Sequence, residues 1–180
     1  ITFSGDVNTK LVPNQAVSKA NILSNMANVV VSKAVFDLKE ASLNSDYLVK
    51  ISDLGKLKDV TGQRMRGKLD LNGNISSKAE NLLVTGASKL LGGALDFKLN
   101  NNDFNANLKD VEVKQLTHMM YYPEVFDSKS ALSLNYNLLS KKGQIKGNLL
   151  KGHFLPNDFS GLINQFAKFD LTREIYDIVD

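Results

Sequence analysis

The side chains that most often do chemistry are sparse in this sequence. His118 and His153 are the only histidines among the 180 residues, and neither has a second histidine four residues away. The chain has no cysteine, which removes thiolate catalysis, disulfide bonds and the commonest structural zinc ligands. We therefore expect neither a metal site nor a cofactor.

Two further patterns have a superficial likeness to catalytic motifs. The stretch 86–93 is rich in glycine like a phosphate-binding loop, but it lacks the Gly-Lys-Ser/Thr ending and its flanks predict a hairpin. Spacing along the chain leaves a Ser-His-Asp triad open, yet no Gly-x-Ser-x-Gly elbow occurs. We expect a protein that is not an enzyme, with a hydrolase that uses His118 or His153 beside a carboxylate as the enzyme alternative.

The basic residues do not form a nucleic-acid-binding pattern. The formal net charge is +3, and Arg64, Arg66 and Arg173 are the only arginines. The lysines are spread along the chain and often lie between apolar residues. Such a distribution is typical of a solvated sheet face, whereas a nucleic-acid interface needs a basic stripe with interleaved aromatic residues. We expect no nucleic-acid partner.

Alternation of apolar and polar residues dominates the chain. Period-two patterns predict half-buried strands, and here they occupy 68–75, 95–99, 104–109, 132–138 and 145–149. Turn-forming residues at 12–15, 92–93, 100–103 and 141–143 predict antiparallel hairpins. Residues 22–43 are ambiguous, because Val29-Val30-Val31 favours a strand but the spacing is irregular.

Two short helices are predicted beside these strands. Phe159, Leu162, Ile163 and Phe166 follow helical spacing in 158–168, where Asp158 is the candidate N-cap. A second helix is predicted over 112–122, before Pro123. The fold class is therefore mainly β with a few short helices (α+β).

Part of the pattern repeats. Residues 46–54 align with 103–111 at an offset of 57, and residues 69–72 align with 132–135 at an offset of 63. The predicted unit is a strand, a hairpin, a strand and a short helix, stacked so that each unit completes the core of its neighbour. Chance similarity between amphipathic strands is the alternative reading.

Several segments of the chain resemble the repeated unit of the AsmA-like family. The resemblance lies in 88–99, in Asn102-Asp103-Phe104 with 111–116 after it, and in 159–166 leading into 169–172; it spans residues 83–175. The family, with its TamB-related members, consists of bridge-like lipid transfer proteins that are anchored in the inner membrane of Gram-negative bacteria and extend into the periplasm.

The resemblance implies a curled antiparallel sheet that forms an open apolar groove for phospholipid. It also implies that residues 1–180 are one β-rich segment of a longer protein, with approximate units 1–66, 67–129 and 130–180. No apolar run here is long enough to span a membrane, so the inner-membrane anchor would lie outside this segment. No catalytic residue is carried over from the family.

The candidate groove lining consists of apolar residues from the alternating strands. Acyl chains of phospholipid or of another lipid are the expected ligand. The lining would be Leu69, Leu71, Leu95, Phe97, Leu99, Phe104, Leu108, Leu132, Leu134, Tyr136, Ile145 and Leu149.

Two alternatives stay open for the same residues. The apolar face could be a plain core that is covered by the helix at 158–168. The chain could also be a structural or protein-binding scaffold of the envelope without lipid cargo, whose open strand edges pair with a partner.

Overall fold

The fold is dominated by one large antiparallel sheet. The structure, a computed structural model, describes residues 2–176. The strands are β1 (Phe3–Val12), β2 (Gln15–Ser24), β3 (Asn28–Asp37), β4 (Ser42–Ile51), β5 (Leu69–Lys78), β6 (Asn81–Leu90), β7 (Gly93–Asn100), β8 (Asp103–Glu112), β9 (Phe126–Asp127), β10 (Lys129–Asn137), β11 (Lys142–Leu149) and β12 (His153–Phe154). The helices are α1 (Lys58–Thr61), α2 (Val113–Met119) and α3 (Asp158–Ala167), with 3₁₀ turns at Leu54–Leu57 and Leu171–Arg173.

Ten strands form the main sheet in simple sequential order. Each pairs antiparallel with the next along the chain, except that β10 follows β8 because β9 pairs with β12 in a separate two-stranded sheet. Among the described residues, β1 and β11 each have one neighbour in the sheet, so the sheet is open. The prediction of a mainly β, antiparallel fold with a few short helices is confirmed.

One end of the sheet consists of tight turns, and we call it the hairpin end. Its five connections are 13–14, 38–41, 79–80, 101–102 and 138–141. Each contains a non-glycine residue with positive φ: Asn14, Ala41, Ala79, Asn101 and Lys141. Positive φ values match the twist of antiparallel strands. The predicted turns are confirmed here, and the predicted turn at 92–93 lies at the opposite end as Leu91-Gly92.

The opposite end carries the helical segments, and we call it the helical end. The β4–β5 connection contains α1, and the β8–β10 connection contains α2 inside the predicted range 112–122. Backbone N–H of Arg66 donates to the carbonyl of Met119 over 2.9 Å, which joins the two connections. Short helices thus follow β4 and β8, the strands that contain residues 46–51 and 103–111.

Helix α3 begins as predicted but is capped differently. Asn157, not Asp158, is the N-cap: its side chain accepts from Ser160 N–H over 3.0 Å, and Ser160 Oγ accepts from Asn157 N–H over 2.9 Å. The amide oxygen and the hydroxyl together satisfy two orphan N–H groups. Phe159 and Phe166 are 59% and 80% exposed. The expectation that this helix covers the apolar sheet face is therefore wrong.

The strand register keeps one set of side chains on each face of the sheet. Directly paired residues project to the same side. The register shifts in two places: β3 carries one extra residue within 31–33, and β8 carries one near Asp110, which has a φ of 56°. Such bulges bend the strand and increase its twist.

Buried apolar side chains are few. Within residues 2–176, Ile51, Leu54 and Val111 are the only buried hydrophobic side chains, and all three lie at the helical end. Ser128 Oγ and Ser130 Oγ donate to the carbonyls of Leu150 and Asn148 nearby. The main sheet is therefore stabilised by its hydrogen-bond ladder and by cross-strand side-chain contacts, and only locally by a core.

Gly73 provides a test of this close cross-strand packing. A Cβ at Gly73 would overlap the carbonyl oxygen of Thr85 and would lie 2.5 Å from Tyr47 Oη. We predict that Gly73→Ala lowers the free energy of unfolding by about 3 kcal/mol, because neighbouring backbone must shift. Urea unfolding followed by circular dichroism measures the change.

The matched control is Gly161→Ala. Gly161 lies inside α3, and a Cβ there meets nothing within 4 Å. This substitution should stabilise the protein by roughly 0.5 kcal/mol, because alanine loses less backbone entropy in a helix. Equal effects of the two substitutions would contradict the described packing around Gly73.

Candidate functional site

The predicted lining residues all lie on one face of the main sheet. Leu95 pairs with Leu108, which pairs with Leu132, and this row continues to Gly147. The next row runs from Leu99 through Phe104 to Tyr136. We call this side the apolar face. It contains every one of the twelve candidates: Leu69, Leu71, Leu95, Phe97, Leu99, Phe104, Leu108, Leu132, Leu134, Tyr136, Ile145 and Leu149.

The apolar face is larger than the sequence prediction. The register adds residues of strands β1–β6 to it: Phe3, Val7, Leu11, Ile22, Val29, Phe36, Leu43, Tyr47, Val49, Ile51, Ile75, Val84 and Leu90. Regular alternation from Leu43 to Ile51 was the signal that could have identified β4. The apolar face therefore extends across all ten strands.

Apart from its helical end, where Ile51 and Val111 are buried, no element among residues 2–176 covers the apolar face as a second layer. Most of its residues are half-buried, and Phe3, Val7 and Ile145 on the edge strands are 79%, 68% and 73% exposed. Ten-residue strands at ordinary spacing give a face of about 30 Å by about 45 Å. Exposed apolar patches of ordinary monomers reach only about 300–600 Å². A face this large is typical of a binding surface.

Aromatic rings cross the middle of the apolar face. Tyr47 reaches over Gly73 and Gly86, and its Oη donates to the carbonyl of Thr85 over 2.8 Å. From the other side, the ring of Phe97 also lies against Gly86. Burial raises the pKa of Tyr47 above its ordinary value of 10.0. The two glycines thus leave space that the rings fill, which gives a smooth, mainly apolar surface here.

Small residues differ in exposure between the two faces. Ser45, Ser88 and Ser130 on the apolar face are only 7%, 7% and 3% exposed. Ala87 and Ala94 on the opposite face are exposed. Side chains of the apolar face therefore crowd together over their small neighbours, whereas those of the other face do not.

The opposite face, which we call the polar face, carries amide and charged groups in cross-strand contacts. Asn107 donates to Asp96 over 2.8 Å, and Lys109 lies 3.4 Å from Asp96. The hydrogen bond from Asn107, with that from Lys109, lowers the pKa of the Asp96 carboxyl. Asn74 similarly donates to Asp46 over 2.9 Å. Shallow depressions of about 350–690 Å³ lie among the Asn, Asp and Lys residues of this face.

The two histidines lie in structural contacts at the helical end. His118 Nδ1 lies 2.6 Å from Glu124, and its Nε2 lies 3.4 Å from Arg66. The guanidinium of Arg66 also lies 3.9 Å from the ring centre of Tyr121. These contacts join the β4–β5 and β8–β10 connections. His153 pairs with Asp127 between β12 and β9.

The cavity beside His118 has no serine, threonine or cysteine among the described residues of its lining. The adjacent cavity of about 500 Å³ is lined by residues without a hydroxyl or thiol: Arg66, Gly67, Leu91, Lys114, Gln115, His118, Met119 and Glu124. No group of three His, Asp or Glu within residues 2–176 could hold a metal ion. In the same part of the chain, no helix is long and apolar enough to cross a bilayer.

Tyr47 supplies a spectroscopic test of the apolar face. The folded chain should hold the Tyr47 proton more tightly than the unfolded chain, so this contribution to stability is present below pH 10.0 and is lost as the pH rises through the raised pKa. The difference in phenolate absorbance between the wild type and Tyr47→Phe reports the titration of Tyr47. We predict that the midpoint of this difference lies above pH 10.0. A midpoint at or below that value would show that the ring is solvated.

Comparison with known proteins leaves the resemblance untested. The chain matches no protein-family model, no curated protein and no solved structure. The resemblance to the AsmA-like family therefore rests on the sequence pattern alone, and the arguments about function rest on the apolar face.

Proposed function

We propose that the chain is a non-enzymatic segment of a bacterial envelope protein that binds phospholipid acyl chains on its apolar face. In this proposal the segment belongs to an AsmA-like protein of the periplasm, anchored in the inner membrane through a part of the protein outside this segment. Lipid moves along the face between the inner and outer membranes. The single observation that carries the proposal is the continuous apolar face across ten strands, uncovered except at its helical end.

The large exposed surface of the chain supports the binding of an apolar ligand. The accessible surface is 12189 Å² at 19.8 kDa, whereas a compact monomer of that mass exposes about 8,600 Å². The chain thus exposes about 40% more surface than a compact monomer. An acyl chain on the apolar face would remove part of this apolar surface from water.

The chemistry of the face suits a sliding ligand. Burial of a methylene contributes about 0.8 kcal/mol, so a long acyl chain gains affinity from many weak contacts. Hydrophobic contacts are non-directional, and the rows of Leu and Phe repeat from strand to strand. A chain can therefore change its position without losing a specific bond, and no single lining residue is indispensable.

We further propose that the sheet curls around its apolar face to form an open groove of repeated units. Sheets of about ten strands tend to curl. The bulges in β3 and β8 bend their strands. The low exposure of Ser45 and Ser88, compared with exposed Ala87, fits inward curvature on the apolar side. A groove would shield the acyl chain from water on three sides.

Paired substitutions on the two faces test the proposal. We predict that Leu108→Asn with Leu134→Asn weakens binding of a fluorescent phospholipid roughly tenfold, because apolar contact is lost on the apolar face. The control is Leu48→Asn with Leu83→Asn, two half-buried leucines of the polar face. The control should bind like the wild type in a fluorescence titration.

Circular dichroism would verify that both double variants keep their strand content. Equal loss of affinity in the two variants, or no phospholipid binding by the wild-type chain, would refute the proposed role of the apolar face.

The second candidate is a scaffold module, and the open strand edges favour it. β1 and β11 each present unpaired backbone groups along one side, which can pair with a strand of a partner. A scaffold without cargo predicts concentration-dependent association in light scattering and no lipid in a mass spectrum after gentle purification. The lipid-binding proposal predicts copurified lipid.

A further inference from the structure

We propose that the helical end of strands β3–β5 carries a binding site for a phosphate ester, built by Lys50, Lys56 and Lys68. The ligand class is a small phosphate ester. Only the assignment of a lipid headgroup as its source rests on the proposed function above.

The three lysines line one cavity. Its volume is about 420 Å³, and it lies between the turn 24–28, the ends of β4 and β5, and the 3₁₀ turn that follows β4. Lys50 is the cross-strand partner of both Asn28 and Asp70. Three separate segments thus bring an ammonium group to the same cavity, and a volume of this size accommodates a small polar ligand.

The lysines at this cavity lack the acidic partners that other lysines have. Lys78, Lys109 and Lys114 lie 2.7, 3.4 and 3.2 Å from carboxylate oxygens. Within residues 2–176, no carboxylate forms such an ion pair with Lys50, Lys56 or Lys68.

Charge at the cavity therefore favours an anion. Asp70 is the one acidic residue among those that line it. Three positive charges against one negative charge leave a net charge of +2 to attract a phosphate group. Ammonium groups bind phosphate as point charges, without a required planar geometry.

Asn28 adds a polar residue to the lining of the cavity. Asn28 Oδ1 is buried and has no hydrogen-bond partner among the described residues. Buried side-chain oxygens in proteins are nearly always hydrogen-bonded.

The cavity lies at the helical end of the sheet, where Asn28, Lys50 and Asp70 belong to the polar face. Ile51 lines the cavity and is also the last residue of β4 on the apolar face. A phospholipid whose acyl chains lie on the apolar face would have to pass around the ends of β4 and β5 to place its phosphate near the lysines. The site would then hold the lipid headgroup at the helical end.

The test uses the 180-residue chain and sn-glycerol 3-phosphate as the probe, measured by calorimetry. Lys56→Gln with Lys68→Gln should weaken binding at least about fivefold, because two charged contacts are lost. Lys10→Gln with Lys19→Gln removes the same charge from β1 and β2 and should leave affinity unchanged. No binding to the wild type, or equal binding by the two double variants, would overturn the site.

A second arm separates the two sources of phosphate. If the ligand is a lipid headgroup, Lys56→Gln with Lys68→Gln weakens binding of phosphatidylglycerol but not of diacylglycerol. If only glycerol 3-phosphate is affected, the site takes a soluble phosphate ester. Should neither lipid bind the wild type while glycerol 3-phosphate does, the proposed lipid function fails and the phosphate site stands.

Discussion

The antiparallel register is the constraint on which the rest of the structure depends. Strand side chains alternate with a period of two, so a slip of one residue would move every leucine of a strand to the polar face. Here the apolar side chains stay on one face from β1 to β11, including across the bulges in β3 and β8. The apolar face exists only because all nine strand pairings of the main sheet place apolar residues on the same side.

The contacts that fix this register differ between the two faces. On the polar face, amide–carboxylate pairs such as Asn107–Asp96 and Asn137–Asp103 bond neighbouring strands at 2.8 and 2.7 Å. On the apolar face, Tyr47 and Phe97 lie over glycines of adjacent strands. Polar pairs and ring–glycine contacts specify particular partners, whereas leucine–leucine contacts tolerate shifts. These specific contacts can therefore hold the strands in register, while the rest of the apolar face is chemically uniform.

Much of this fold follows from local sequence patterns, and the exceptions have physical causes. The hairpin at Asn101-Asn102 was predictable because asparagine tolerates the positive φ that is needed there. The turn at 138–141 was predicted from the neighbouring Gly143, but Lys141 is the residue with positive φ. Residues 22–43 were ambiguous because the extra residue in β3 interrupts alternation: Val29 and Val31 share the apolar face with Ala34 and Phe36. A bulge of this kind changes the parity within one strand, and no sequence periodicity reports it.

The packing of helices and loops was harder to predict from the sequence than the strands were. The placement of the twelve candidate residues on one face was predictable, because apolar and polar residues alternate regularly within each of their strands. Whether α3 packs on that face depends on the path of residues 150–157, which is set by the β9–β12 pairing and by the edge contact of Phe126 with Phe154 at 5.1 Å. The cavity beside Lys50, Lys56 and Lys68 combines three distant segments, so the sequence alone gave no sign of it.

Paramagnetic broadening of leucine methyl signals, caused by a phospholipid with a spin label on its acyl chain, tests the central claim most directly. Leucines of both faces are reporters in the same sample. Acyl-chain binding on the apolar face predicts broadening of Leu95, Leu108 and Leu134 while Leu48 and Leu83 stay sharp. Uniform broadening on both faces, or none at all, would contradict a lipid-binding apolar face.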